Sequence, residues 1–178
     1  MTIEKLTEIY QGRVLRFTVE AVRLPNDHVA TLEMVHHPGG AAIVALDDEG
    51  RICLVRQYRH AVRDYIWEIP AGKIDNEDPP LTTAKRELEE EAGRLAKQWH
   101  SLGEYLPSPG FLTEVVHLFF ATQLSPVQNK LEATEVLEAH WFPFEQALEM
   151  AQSGELRDGK SLAALLRARA FVPACRKG

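Results

Sequence analysis

The stretch from Ile69 to Gly93, IPAGKIDNEDPPLTTAKRELEEEAG, constrains the fold more than any other part of the chain. It joins a proline–glycine corner to a charged helix. Pro79 and Pro80 suit a first helical turn, where an amide has no partner anyway. Asp78 just before them is a fair N-cap, and Gly93 can take the left-handed conformation that closes a helix. At about 100° per residue, Leu81, Ala84, Leu88 and Ala92 form an apolar stripe about 80° wide, which needs a core to lie on. Glu87, Glu90 and Glu91 form a second stripe beside it, about 100° wide. Glu89 points elsewhere, near Lys85, and Arg86 can pair with Glu90 four residues on. Carboxylates this close repel one another. One reading is a solvated face, the usual role of a charge run. The other is a site for hard divalent cations, held by carboxylates, waters and substrate phosphates. The helix alone does not choose between them.

The rest of the chain narrows the setting. At 178 residues, one domain with a real core needs no metal or disulfide staple. A net charge of −6 argues against a nucleic-acid or membrane-surface binder. A small anionic substrate remains open if something local offsets the acid. The polar start has no signal-peptide core, and no run of about 18 apolar residues predicts a membrane span. Cys53 and Cys175 are too few and too far apart for a zinc pattern or a disulfide framework. A cytoplasmic, reduced protein is expected, with Cys53 in the core.

Residues from about 8 to 35 read as strands, with PNDH as a turn. AAIVAL and RICLVRQYR, joined by DDEG, read as an apolar hairpin. YIWEIPAG reads as one short strand ending at Pro70, Ala71 and Gly72. VVHLFFAT and AHWFPF are further strands, and helices are expected at about 144–152 and 160–170. Strands mixed with helices predict an α+β sandwich with helices on both faces of a mixed sheet.

The spacing Gly72-x5-Asp78-x7-Arg86-Glu87-Leu88-x-Glu90-Glu91-x-Gly93 resembles the signature of the Nudix hydrolases, G-x5-E-x7-R-E-U-x-E-E-x-G-U, where U is bulky and apolar. Two positions depart from it. Asp78 replaces a glutamate that buttresses the loop by pairing with the arginine, here Arg86. Arg94 replaces the last apolar residue, whose packing Leu95 is expected to take over. The resemblance implies a Nudix α/β/α sandwich and hydrolysis of a nucleoside diphosphate linked to another group, with Mg²⁺ or Mn²⁺, two or more ions. It implies metal binding by Glu87, Glu90 and Glu91 and by the backbone carbonyl of Ala71.

Pro109, 16 residues past Gly93, together with LVRQYRHAV, WEIPAGKID and GELRDGKSLAALL, is similar to the ADP-ribose pyrophosphatase branch. That likeness runs from about Arg13 to Arg167. It implies a catalytic glutamate late in the chain, with Glu135 the best match in LEATEVLEAHWF, Glu132 the second, and Glu90 contributing. Arg59 is a candidate for phosphate or ribose, since a guanidinium forks onto phosphate; a surface arginine at a strand end is the plainer reading. Arg56 is a second candidate, Glu68 matches an acidic position near the site, and Pro109 is expected beside the substrate. Trp67 is either a stacking platform or core. His36 and His37 face opposite ways on a strand, so joint ligation is not expected. The branch implies a homodimer, with residues 1–38 forming a strand region exchanged with the partner and 39–178 forming the hydrolase domain. ADP-ribose is the expected substrate, with other nucleoside diphosphate sugars such as GDP-mannose or ADP-glucose as the alternative. A non-catalytic Nudix-fold binding module is a third reading, which the intact glutamates disfavour.

Overall fold

The computed structural model describes residues 1–75, 78–128 and 137–172. They divide into two compact units, Met1–Gly39 with Leu106–Val115, and Gly40–Tyr105 with Val116–Gly178.

The first unit is an antiparallel sheet of β1 (Thr2–Gln11), β2 (Arg16–Arg23) and β3 (Val29–His36), in that order. The expected turn is present: Leu24 donates to the His28 carbonyl, and Asp27 sits at φ 62°. Strand structure begins at Thr2 rather than near residue 8. All of β1 is exposed, including Ile3, Leu6, Ile9 and Tyr10. Leu106–Val115 joins this unit at Val35, which donates to the Phe111 carbonyl and accepts from the Thr113 amide.

The second unit is built on β4 (Gly40–Ala45), a strand buried on both faces. Alternation sends its side chains two ways. Ala41, Ile43 and Ala45 pack with Ala84, Leu88 and Ala92 of α1 (Pro80–Ala92). Ala42 and Val44 pack into the cluster that holds α2 (Phe144–Ser153) and α3 (Gly159–Ala168). Helices therefore cover both sheet faces, as expected for the α/β/α sandwich. With β4 lie β5 (Arg51–Arg59), β6 (Asp64–Glu68), β7 (Ala71–Lys73), β8 (Arg94–Tyr105), β9 (Val116–Pro126) and β10 (Leu137–Pro143). They make a mixed sheet, β7-β4-β9-β8, in which β4 and β9 run parallel, and an antiparallel sheet, β10-β5-β6.

Four expectations change. AAIVAL and RICLVRQYR do not form a hairpin. The two edges of β4 are taken by β7 and β9, so β5 diverges into the other sheet and keeps one bridge, Leu46 to Ile52. YIWEIPAG is two strands, β6 and β7, one in each sheet. It breaks at Pro70, which has no amide for a ladder. Asp78 is not the N-cap of α1. Pro79, extended at ψ 133° ahead of Pro80, takes that place without a side-chain cap bond. Leu95 does not replace the missing apolar residue, being 45% exposed. Instead Arg94 lays its guanidinium 5.1 Å from the Trp141 ring centre and donates to the Gly93 carbonyl. The strand β8 had no clear sequence signal: it is mostly exposed, and its register slips between Ser101 and Gly103, which blurs the alternation.

Among the described residues, no helix is long and apolar enough to cross a membrane.

Candidate active site

The carboxylate stripe of α1 lies against β7. Glu87 is 5% and Glu91 1% exposed, while Glu90 is only half-buried. An ionised carboxylate buried this deeply needs local compensation. Two groups supply it. The Ala71 amide donates to Glu91 Oε2 at 2.9 Å. Arg86 pairs with Glu87 and with Glu90, each at 2.8 Å. Burial works to lower the Arg86 pKa, but the Glu87 charge and the Glu90 hydrogen bond outweigh it and hold the guanidinium above its ordinary value. The Arg86 partner expected at Asp78 is found at Asp75, whose Oδ2 is 3.6 Å away. Asp78 instead donates its amide to the Asp75 carbonyl and closes a turn.

Gly72 has a steric role as well as a place in the spacing. A Cβ at this position would fall on the Glu87 carboxylate. The absent side chain is the space that Glu87 occupies. The Pro70–Gly72 segment is thus a wall facing α1: Ala71 meets Glu91, Gly72 admits Glu87, and the Pro70 carbonyl accepts from Ile43.

A third carboxylate, Glu68 at the end of β6, is 3% exposed. Arg59 grips it with Nε at 3.0 Å and Nη2 at 2.6 Å from Oε2. Lys160 approaches its Oε1 at 3.2 Å. Burial works to lower the Arg59 pKa. Glu68, with the charges of Glu91 and Asp158, more than offsets it, and the guanidinium stays above its ordinary range. The field of Glu91 therefore reaches Arg59.

The other candidates are placed less centrally. Arg56 is three residues from Arg59 on β5, hence on the opposite face, and stacks 5.0 Å from the Tyr65 ring centre. Trp67 packs against the core and meets His140 and Phe142 edge-on, each at 5.2 Å. Pro109 is exposed in a turn of the first unit. His36 bonds Thr18 and Glu20, whereas His37 bonds the Gly39 amide and pairs with Glu114, so the two do not converge. Glu132 and Glu135 lie outside the described residues. Sequence reasoning missed Lys160, Ser161 and Asp158. The available signal was GELRDGKS, a motif with cap chemistry and a lysine ahead of an apolar helix.

Among the described residues, no three His, Cys, Asp or Glu side chains already converge as a metal-holding group. Arg86 draws Glu87 and Glu90 together, and the Ala71 amide holds Glu91. The donor set nonetheless fits a hard divalent cation: three carboxylates on one face, two of them buried, with a glycine cradle under one.

Residues 36–165 match the family model of the NUDIX domain. The chain is 41% identical over 160 residues to an ADP-ribose pyrophosphatase of Bacillus subtilis, covering 89% of this chain and 86% of that protein. It is 37% identical over 165 residues to a GDP-mannose pyrophosphatase of Klebsiella pneumoniae, covering 84% of this chain and 81% of the relative. The crystal structure of an ADP compounds hydrolase superposes with a TM-score of 0.82 at 19% identity, over 96% of this chain and 92% of that one, a likeness of fold.

Proposed function

The chain belongs to the NUDIX family, and from that premise we propose that it hydrolyses the pyrophosphate bond of ADP-ribose to AMP and ribose 5-phosphate. The observation that carries this reading is the wall at Ala71 and Gly72, which turns toward Glu87 and Glu91 and leaves room for them. Two relatives, at 41% and 36% identity, are ADP-ribose pyrophosphatases, which supports the choice of substrate.

In this reading Glu87, Glu90, Glu91 and the carbonyl of Ala71 hold two or more Mg²⁺ or Mn²⁺ ions. Bound there, the ions reverse the local charge, acidify a water and offset charge on the phosphoryl oxygens. Glu68 keeps the Arg59 guanidinium oriented, so that its outer edge meets the diphosphate or ribose. Glu135 positions the attacking water, with Glu132 the second choice for that task. Pro109 belongs to the substrate's surroundings in a homodimer, with residues 1–38 exchanged between protomers. The exposed Ile3, Leu6, Ile9 and Tyr10 of β1 supply apolar surface for that exchange. A cytoplasmic setting completes the reading; its support is the free, buried Cys53.

GDP-mannose is the second substrate reading, supported by the Klebsiella relative. A panel of ADP-ribose, ADP-glucose, GDP-mannose, UDP-glucose, diadenosine polyphosphates and 8-oxo-dGTP with Mg²⁺ tests both. ADP-ribose is expected to be turned over fastest. Rates within about threefold across the sugars would end the case for dedicated ADP-ribose hydrolysis. No turnover of any of them would point to a binding module.

A further inference from the structure

The corner between β6 and β7 is Ile69–Pro70, and β4 holds one side of it, where the Pro70 carbonyl accepts from the Ile43 amide. β6 pairs only with β5, and β7 only with β4. Ile69, Pro70 and Ala71 follow Glu68, with Ala71 already opposite Ala42 in β7, and they carry two amides, because Pro70 has none. Both amides go to side chains, and these come from helices on opposite faces of the sheet. Ala71 donates to Glu91 of α1 at 2.9 Å. Ile69 donates to Ser161 Oγ of α3, also at 2.9 Å.

We infer that Ser161 is a positioning residue for the carboxylate site: its buried hydroxyl fixes the Ile69 amide and thereby aims the Ala71 amide at Glu91. Ser161 is fully buried. Its Oγ donates to Asp158 Oδ2 at 2.6 Å, which turns a lone pair toward Ile69. Asp158 also caps α3 by accepting from the Ser161 amide at 3.0 Å, and it takes Lys160 Nζ at 3.1 Å. Lys160 reaches on to Glu68, one residue before Ile69. The Tyr105 hydroxyl packs close on this turn, in the space a side chain at Gly159 would need. The first turn of α3 thus joins the wall that faces α1 by one hydrogen bond, on the opposite side from the pairing of that wall with β4. The DGKS motif gains a role: aspartate orients the hydroxyl, glycine admits Tyr105, lysine neutralises Glu68, and serine holds the amide.

This inference rests on the reading of Glu91 as a metal ligand, and the experiment separates the two. Mn²⁺ affinity is measured by titration without substrate, alongside hydrogen exchange at the Ala71 amide in the metal-free protein. Ser161→Ala is expected to weaken Mn²⁺ binding about tenfold or more, the scale of outer-shell losses, and to speed Ala71 exchange. KM for ADP-ribose at saturating metal should stay within about twofold. Ser161→Thr, which keeps the hydroxyl, should restore affinity. Ala164→Gly, one turn further along the buried side of the same helix, should destabilise α3 yet leave Mn²⁺ affinity unchanged. If Ala164→Gly weakens Mn²⁺ as much as Ser161→Ala does, Ser161 is merely structural and the inference fails. It also fails if Ser161→Ala binds Mn²⁺ normally while Glu91→Gln does not. Normal binding by Glu91→Gln would instead overturn the metal reading. Should Ser161→Ala not fold, Asp158→Asn takes its place, with a smaller loss expected and a normal affinity counting against the proposal.

Discussion

The helices α1 and α3 dock on opposite faces of the same strand, yet they are built by opposite rules. α3 follows the electrostatics of an isolated helix. Asp158 caps its N-terminus and Arg167 lies in its last turn, and both suit the helix dipole. Its buried face is Ser161, Ala164, Leu165 and Ala168. α1 breaks each of these rules. It starts without a side-chain cap and has no basic residue in its last turn. Glu89, Glu90 and Glu91 crowd the end where the dipole is already negative. Its buried face holds Glu87 and Glu91 as well as Ala84, Leu88 and Ala92. What keeps α1 folded is partly tertiary, the apolar stripe on β4 and the Ala71 amide, and partly local, the grip of Arg86 and the left-handed Gly93, at φ 59°.

That contrast can be broken at several points. The largest effect is expected from Glu91→Gln or Glu87→Gln. Losing a metal-binding carboxylate should cost about 10²–10³ in kcat, equal to about 3–4 kcal/mol of barrier, with the far-UV spectrum unchanged. A rate within about twofold of wild type would mean that α1 is only a charged surface.

Gly72→Ala comes next. The new methyl would displace the Glu87 carboxylate, so the Mg²⁺ requirement should rise about 10–100-fold, with about 1–3 kcal/mol lost in stability from overpacking. An unaltered Mg²⁺ requirement would show that Glu87 can work from another position.

Added metal should reveal the stored repulsion directly. At about 100 times Kd, Mg²⁺ should stabilise the fold by about 2.7 kcal/mol. For a chain of this size that raises Tm by about 5–10 °C, reversed by a chelator and reduced in Glu91→Gln. An equal gain in both proteins would place the ion elsewhere.

The smallest effect concerns the caps. Asp158→Ala should cost about 1 kcal/mol, a few degrees of Tm. Asp78→Ala, at a helix start where no side chain caps, should stay within about 0.5 kcal/mol. Equal losses would erase the distinction between the two helices.

Much of this was readable along the chain. The apolar stripe of α1 was legible because a 3.6-residue period is a local property, and Ala84, Leu88 and Ala92 are indeed buried. Gly93 as the closing residue followed from its conformational freedom, and the two late helices lie where their turn residues placed them. Other features were not readable because each depends on a partner distant in sequence. β4 and β5 look like a hairpin until the neighbours of β4 are known. Arg94 looks like a lost apolar contact until Trp141 arrives beneath it. Asp78 looks like a cap and an arginine partner, but two prolines shift the helix start and Asp75 lies nearer to Arg86.

By itself, the sequence determined the carboxylate stripe, the glycine at its opposite wall, the family and the alternation that buries β4. These are matters of periodicity and residue type. Only the tertiary structure decided how far Glu87 and Glu91 are withdrawn from water, that Arg59 grips Glu68 while Arg56 faces away, and that Ser161 reaches the Ile69 amide across 92 residues. Local preference cannot encode such distances, because a hydrogen bond between two helices and one corner exists only after the sheet between them has closed.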